Sequence, residues 1–150
     1  MSGSILVLAH LAATVAMTGL VWFVQIVHYP LFARVGAPGF PEYEAAHARR
    51  TTLVVGPPML VEAATAILLL VPAARPDSVP GGLPAIAAAL LAVVWLVTAL
   101  ASVPAHRRLE AGFDPDAHAR LVSTNWIRTL GWTARAGIAF AMAAAATAPG

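Results

Sequence analysis

Four apolar stretches set the rhythm of this chain of 150 residues. Residues 5–27 carry no formal charge, residues 53–71 a single acid, residues 83–103 none, and the stretch that opens near residue 125 has no charge after Arg135. A bilayer core roughly 30 Å thick needs about 20 residues of helix to cross. The pattern therefore predicts four spans at about 5–28, 52–72, 83–103 and 125–148. The fold class this implies is all-α: residues 1–150 form a single integral membrane four-helix bundle, with helices two and four projecting into the cytoplasm.

Breakers divide the runs. Tyr29-Pro30 is expected to end the first helix, because proline disfavours helical geometry in the residue before it. Gly36, Pro38 and Gly39 mark the following link. Pro41 suits the first turn of helix two, with Glu42 and Glu44 near its positive end, and Pro57-Pro58 predict a kink inside it. The Pro- and Gly-rich PAARPDSVPGG joins spans two and three. Thr98, Ser102 and His106 share a face if helix three persists past Pro104, and His106 belongs to the exit turn if it does not; Asp114-Pro115-Asp116 reads as the N-cap and first turn of helix four.

Helical periodicity gathers the polar residues of each apolar run onto one face. At about 100° per residue, His10, Thr14, Thr18, Gln25 and His28 share one arc of helix one. Glu44, His47, Thr51, Pro58 and Glu62 share one of helix two, and His118, Asn125, Arg128, Trp132 and Arg135 one of helix four. Small polar residues such as Thr14 and Thr18 read as bonding backbone or neighbouring helices. Glu62, the one acid inside a span, and Arg135 lie equally far into theirs. At about 1.5 Å per residue both sit about 15 Å deep, near the bilayer centre, so they are expected to pair.

Composition narrows the class. The chain is 59% hydrophobic and 11% charged, too apolar for an ordinary soluble domain. All nine basic residues are Arg. Arg34, Arg49, Arg50, Arg107, Arg108 and Arg120 fall in the links after spans one and three, against Arg75 after span two. That asymmetry is a topology signal and not a nucleic-acid footprint. It predicts a multi-pass protein of the plasma (inner) membrane with both termini outside. The N-terminus lacks a basic n-region and reads as a first span, not a cleaved leader. No cysteine is present, which excludes disulfides and thiolate chemistry.

Four of the five histidines are expected at one level near the cytoplasmic face, each from a different helix. His28, His47, His106 and His118 form the candidate ligand set for a transition metal, copper, iron or zinc. The Glu-x-x-His step Glu44 to His47 has no second copy, which argues against a di-iron centre. His10, the one histidine deep in a span, lies at the opposite end from the others, which argues against a b-type haem. His28 and His47 are the candidate acid–base groups and Asn125 and Arg128 the candidates to orient a substrate oxygen. Gln25, Glu62, Trp132 and Arg135 are the candidate substrate contacts.

His28-Tyr29-Pro30, Val103-Pro104-Ala105-His106 and Asn125-Trp126-Ile127-Arg128-Thr129 together resemble motifs of the anthrone oxygenase-like superfamily of small four-span membrane proteins. The likeness covers most of the chain by span layout and departs at His106, where asparagine is the more usual residue. It implies a four-helix membrane fold and, as in some relatives, oxygenation of activated polycyclic phenols. The expected function is thus a small membrane oxidoreductase acting on a lipophilic or aromatic molecule. Two further classes remain open from the residues. Glu62 and Arg135 could line the path of a small transporter or channel. The Ala-rich faces of residues 85–92 and 139–148 also suit a non-catalytic subunit of a membrane complex or a homo-oligomer.

Overall fold

The computed structural model describes residues 3–148, and they are almost entirely helical, with no strand among them. Four long helical segments follow one another: α1 (Gly3–Arg34), α2 (Ala37–Leu70), α3 (Gly82–Leu109) and α4 (Pro115–Thr147). Three of them, α1, α2 and α3, are long and apolar enough to cross a membrane. The fourth is as long but carries Arg128 and Arg135 in its buried face.

Proline does not end α1 as the residue pattern predicts, and α3 persists past its own. In α1 the α-helix Gly3–Phe23 passes into a π-helical turn, Val24–His28, then resumes through Tyr29–Leu31 and closes in a 3-10 turn, Phe32–Arg34. The same device recurs in α3, where Gly82–Val97 gives way to a π-helical turn at Thr98–Ser102 and then to Val103–Leu109. Each wide turn is closed by the residue before a proline: the Tyr29 N–H bonds the Val24 carbonyl and the Val103 N–H bonds the Thr98 carbonyl. A proline in an α-helix clashes with the carbonyl four residues back and has no N–H to give. One extra residue in the preceding turn moves that carbonyl aside, so the helix continues. As a result His106 stands on a helix and not in a turn. The same interval separates Pro30 from Pro104 and Pro41 from Pro115, so the chain is built as two similar helical hairpins. Pro57 and Pro58 also lie inside the uninterrupted α-helix Phe40–Leu70.

Short links turn the chain between helices. Gly36, with φ +86°, reverses the backbone between α1 and α2, a conformation glycine adopts without a Cβ penalty. Asp114 caps α4 as expected, its carboxylate accepting from the backbone N–H of Asp116 and Ala117.

Helix α1 packs along both α2 and α4, and α3 packs chiefly along α4. Inside lie three apolar clusters. Leu6, Val7, Leu69, Ala139 and Met142 fill one end, Met17, Val21, Ala66, Val94 and Trp132 the middle, and Tyr29, Phe32, Phe40, Leu109 and Leu121 the other end. Outside, Leu53, Leu60, Ile67, Ile86, Leu100 and Phe140 are each more than half exposed. Apolar side chains that turn outward while Glu62, Arg135 and Asn125 are wholly buried reverse the arrangement of a water-soluble protein.

Candidate functional site

Two polar layers separate the apolar clusters, and they differ in kind. The deeper one is closed. Arg135 Nη2 and Nε approach Glu62 Oε1 at 2.8 and 3.1 Å, and the Trp132 indole N–H donates to Glu62 Oε2 at 2.9 Å. The remaining Arg135 nitrogen donates to the Ala87 carbonyl. Every group in this layer is fully buried and partnered. The expected pairing of Glu62 with Arg135 is therefore present, but Glu62, Trp132 and Arg135 are spent on one another and line none of the principal cavity. Their arrangement fixes the register of α2 against α4 and the backbone of α3.

The second layer aligns an arginine. Gln25 Nε2 donates to the Val122 carbonyl, Gln25 Oε1 accepts from Asn125 Nδ2 at 2.9 Å, and Asn125 Oδ1 accepts from Arg128 Nη1 at 2.8 Å. Each amide is thereby oriented by its neighbour, and the guanidinium at the end of the chain is held by neutral groups alone. It lies over the Trp132 ring at 5.4 Å, a cation–π contact.

Beyond this layer α1, α2 and α3 bring a histidine-rich cluster together around Tyr29 and Phe32. His28 Nε2 meets His47 Nδ1 at 2.7 Å, and Thr51 Oγ1 meets the same His47 nitrogen at 3.1 Å. Glu44, fully buried, accepts from His106 Nδ1. That contact makes His106 Nε2 the bare nitrogen, so it accepts the Tyr29 hydroxyl at 3.0 Å. His118 Nε2 donates to the Tyr29 carbonyl at 2.7 Å. Tyr29, His106 and Glu44 thus form a hydroxyl–imidazole–carboxylate chain drawn from three helices. The triad was not legible in the residue pattern. Tyr29 stood there as the residue before a proline and as part of a short motif, with no chemical role, and His106 reaches it because α3 continues past Pro104.

A cavity of about 290 Å3 opens beside this cluster. Tyr29, His47, His106, Thr51, Ser102 and Arg128 supply its polar wall, Leu20, Val21, Val24 and Val55 its apolar wall, and Arg107 with Glu110 its exposed rim. The volume is at the lower end for small-molecule pockets. His28 lies in a neighbouring, shallower depression with Tyr43 and Arg50.

The donor set does not fit a metal ion. Inward nitrogens of the four imidazoles are taken up by one another, by Tyr29, by Thr51 and by Glu44. Among the described residues no three His, Asp or Glu side chains are grouped to hold an ion.

The fold and cavity define an all-helical protein with helices suited to a membrane and a buried polar site at one end. No family model, curated protein or solved structure matches the chain.

Proposed function

We propose that the protein is a small integral membrane oxidoreductase of the oxygenase type, acting on a lipophilic aromatic molecule with an acidic C–H or O–H group. In this reading all four long helices span the plasma membrane, with both termini outside and the cavity toward the cytoplasm. The arginines grouped where α1 and α3 end and α2 and α4 begin, Arg34, Arg49, Arg50, Arg107, Arg108 and Arg120, support that orientation. The observation that carries the proposal is the convergence, on one largely apolar cavity, of imidazole acid–base groups and a buried guanidinium.

The chemistry follows from the geometry. A neutral imidazole of the His28–His47 pair, or the Tyr29–His106–Glu44 chain, takes a proton from the activated methylene of the substrate. The electrons left behind delocalise onto a ring oxygen as an enolate, which Arg128 stabilises in a site of low dielectric. Dioxygen is the oxidant. It accepts the electrons, bonds the carbon, and after protonation leaves a hydroperoxide that loses water to a carbonyl. Overall one CH2 and one O2 become one C=O and one H2O, and the proton taken from the carbon returns to the peroxide and leaves in the water. No metal enters the sequence of steps.

The test is oxygen uptake and quinone appearance with anthrone, a tricyclic activated phenol, on protein in phosphatidylcholine nanodiscs. Wild-type protein accelerates both over empty discs, and His47→Ala and Arg128→Gln each reduce the rate by about 100-fold or more, the usual scale for one acid–base or oxyanion group. Equal rates in empty and loaded discs, for anthrone and for simpler naphthols, would remove the assignment.

A further inference from the structure

Arg128 and Arg135 lie two turns apart on α4, yet the protein treats them differently. Arg135 is matched by Glu62. Arg128 is not: the arginines in ion pairs among the described residues are Arg108 and Arg135, and the only carboxylate on the cavity, Glu110, is exposed at its rim. A guanidinium 8% exposed, held by the Asn125 amide and set beside the Tyr29 hydroxyl and the Trp132 ring, has no carboxylate paired with it. Burying an unpaired ion is strongly unfavourable.

Two side-chain atoms at this cavity also have no partner, Arg128 Nε and Ser102 Oγ. Ser102 and Thr14 are the two buried helical hydroxyls without a partner among the described residues, and of the two Ser102 lines this cavity. Helical hydroxyls of this chain generally donate to the carbonyl four residues back, as Thr18, Thr52, Thr65, Thr98, Thr129 and Thr133 do. Ser102, 3% exposed at the end of the π-helical turn in α3, makes no such bond. Its hydroxyl and the Arg128 Nε–H are two unpartnered donors of residues that line one cavity, together with Leu20, Val21, Val24 and Val55.

We infer that Arg128 and Ser102 form a receptor for the oxyanion of a lipophilic aromatic acid, a phenolate, enolate or carboxylate, whose ring packs against the aliphatic wall. At about 30 Å3 per water, the cavity of about 290 Å3 holds about ten waters' volume, room for a small fused-ring body. The anion supplies the charge Arg128 lacks and accepts from both unused donors. A headgroup phosphate offers the same charge, but the apolar wall favours a flat hydrocarbon body over a glycerol backbone. The receptor deepens the oxygenase reading, since it names the ionised form that reading would oxidise. Binding without turnover would leave the receptor standing and remove the oxygenation.

The experiment compares 1-naphthoate with the neutral, nearly isosteric 1-naphthamide by calorimetry on protein in phosphatidylcholine nanodiscs, with empty discs subtracted. Naphthoate binds at least about tenfold more tightly, the discrimination expected of a charge-assisted hydrogen bond worth 1.5–3 kcal/mol. In Arg128→Gln that preference falls to within about threefold, as it must when the charge is gone. Ser102→Ala, a small change that keeps the helix, weakens naphthoate by about fivefold and leaves naphthamide unchanged; it decides the matter if Arg128→Gln does not fold. Equal affinity for acid and amide in wild-type protein, or an unaltered preference in Ser102→Ala, would overturn the receptor. Tighter binding of dodecyl phosphate than of naphthoate in the same phosphatidylcholine discs would assign the two donors to a lipid phosphate and overturn it as well.

Discussion

Glu62→Gln is the substitution with the most to say about what holds α2, α3 and α4 together. It keeps the shape of the side chain and one acceptor for the Trp132 N–H, but it removes the charge that faces Arg135 at 2.8 Å. Both groups are wholly buried, so the guanidinium is left uncompensated, and breaking a buried pair from one side costs about 3–5 kcal/mol. Arg135→Gln strands the carboxylate instead. A carboxyl group can take up a proton and lose its charge, whereas a guanidinium cannot, so this variant is the milder of the two. The double variant has no charge to strand. It is expected to be more stable than Glu62→Gln alone, with a coupling of about 2–3 kcal/mol, within the range of residues in direct contact. The assay is reversible unfolding in mixed micelles by titration with sodium dodecyl sulfate, followed by circular dichroism. Additive losses, or single losses below about 0.5 kcal/mol, would show that the pair does not set the register of the helices.

Close packing and capping provide two more checks. A Cβ at Gly131 would stand 2.5 Å from Val94 Cγ1, and a β-branched neighbour has little freedom to move aside. Gly131→Ala is therefore expected to destabilise by about 1–3 kcal/mol, the scale of overpacking, and Val94→Ala in the same chain to recover most of it; thermal unfolding in detergent measures both. At the start of α4, the Ala117 N–H foremost, with Asp116 N–H and Arg108, holds the Asp114 carboxyl below the ordinary carboxylate range. Its folded value is depressed, so the stabilisation is complete above the unfolded value near 4 and fades as pH falls through the folded one. Asp114→Ala should lower the melting temperature at neutral pH and make no difference in strong acid; a gap that persists in strong acid would refute the cap as its origin.

The apolar runs and their polar faces were legible residue by residue. So was the depth at which Glu62 and Arg135 meet, because a helix advances by a fixed rise and position along it converts to depth without knowledge of packing. The continuity of α1 through Pro30 and of α3 through Pro104 was not. A proline forbids one hydrogen bond, and whether the chain then ends or widens into a π turn depends on what the next residues gain by staying helical. Here Tyr29, Phe32, Ala105 and Leu109 gain a buried aromatic cluster.

Histidine content showed that imidazoles would gather at one end, and it suggested ligands for a metal. Only the packing of the helices decided which nitrogen faces which group, and it engaged them with Tyr29, Glu44, Thr51 and one another. Hydrogen-bond partners are set by angles and by tenths of an ångström, which composition and spacing do not encode. What the sequence determined by itself was a helical chain with apolar outward surfaces and a charge pair equally far along its helices, since those follow from periodicity and transfer free energy. The tertiary structure alone decided that one arginine is neutralised and the other left open on a cavity, because that difference arises from which side chains three other helices bring within reach.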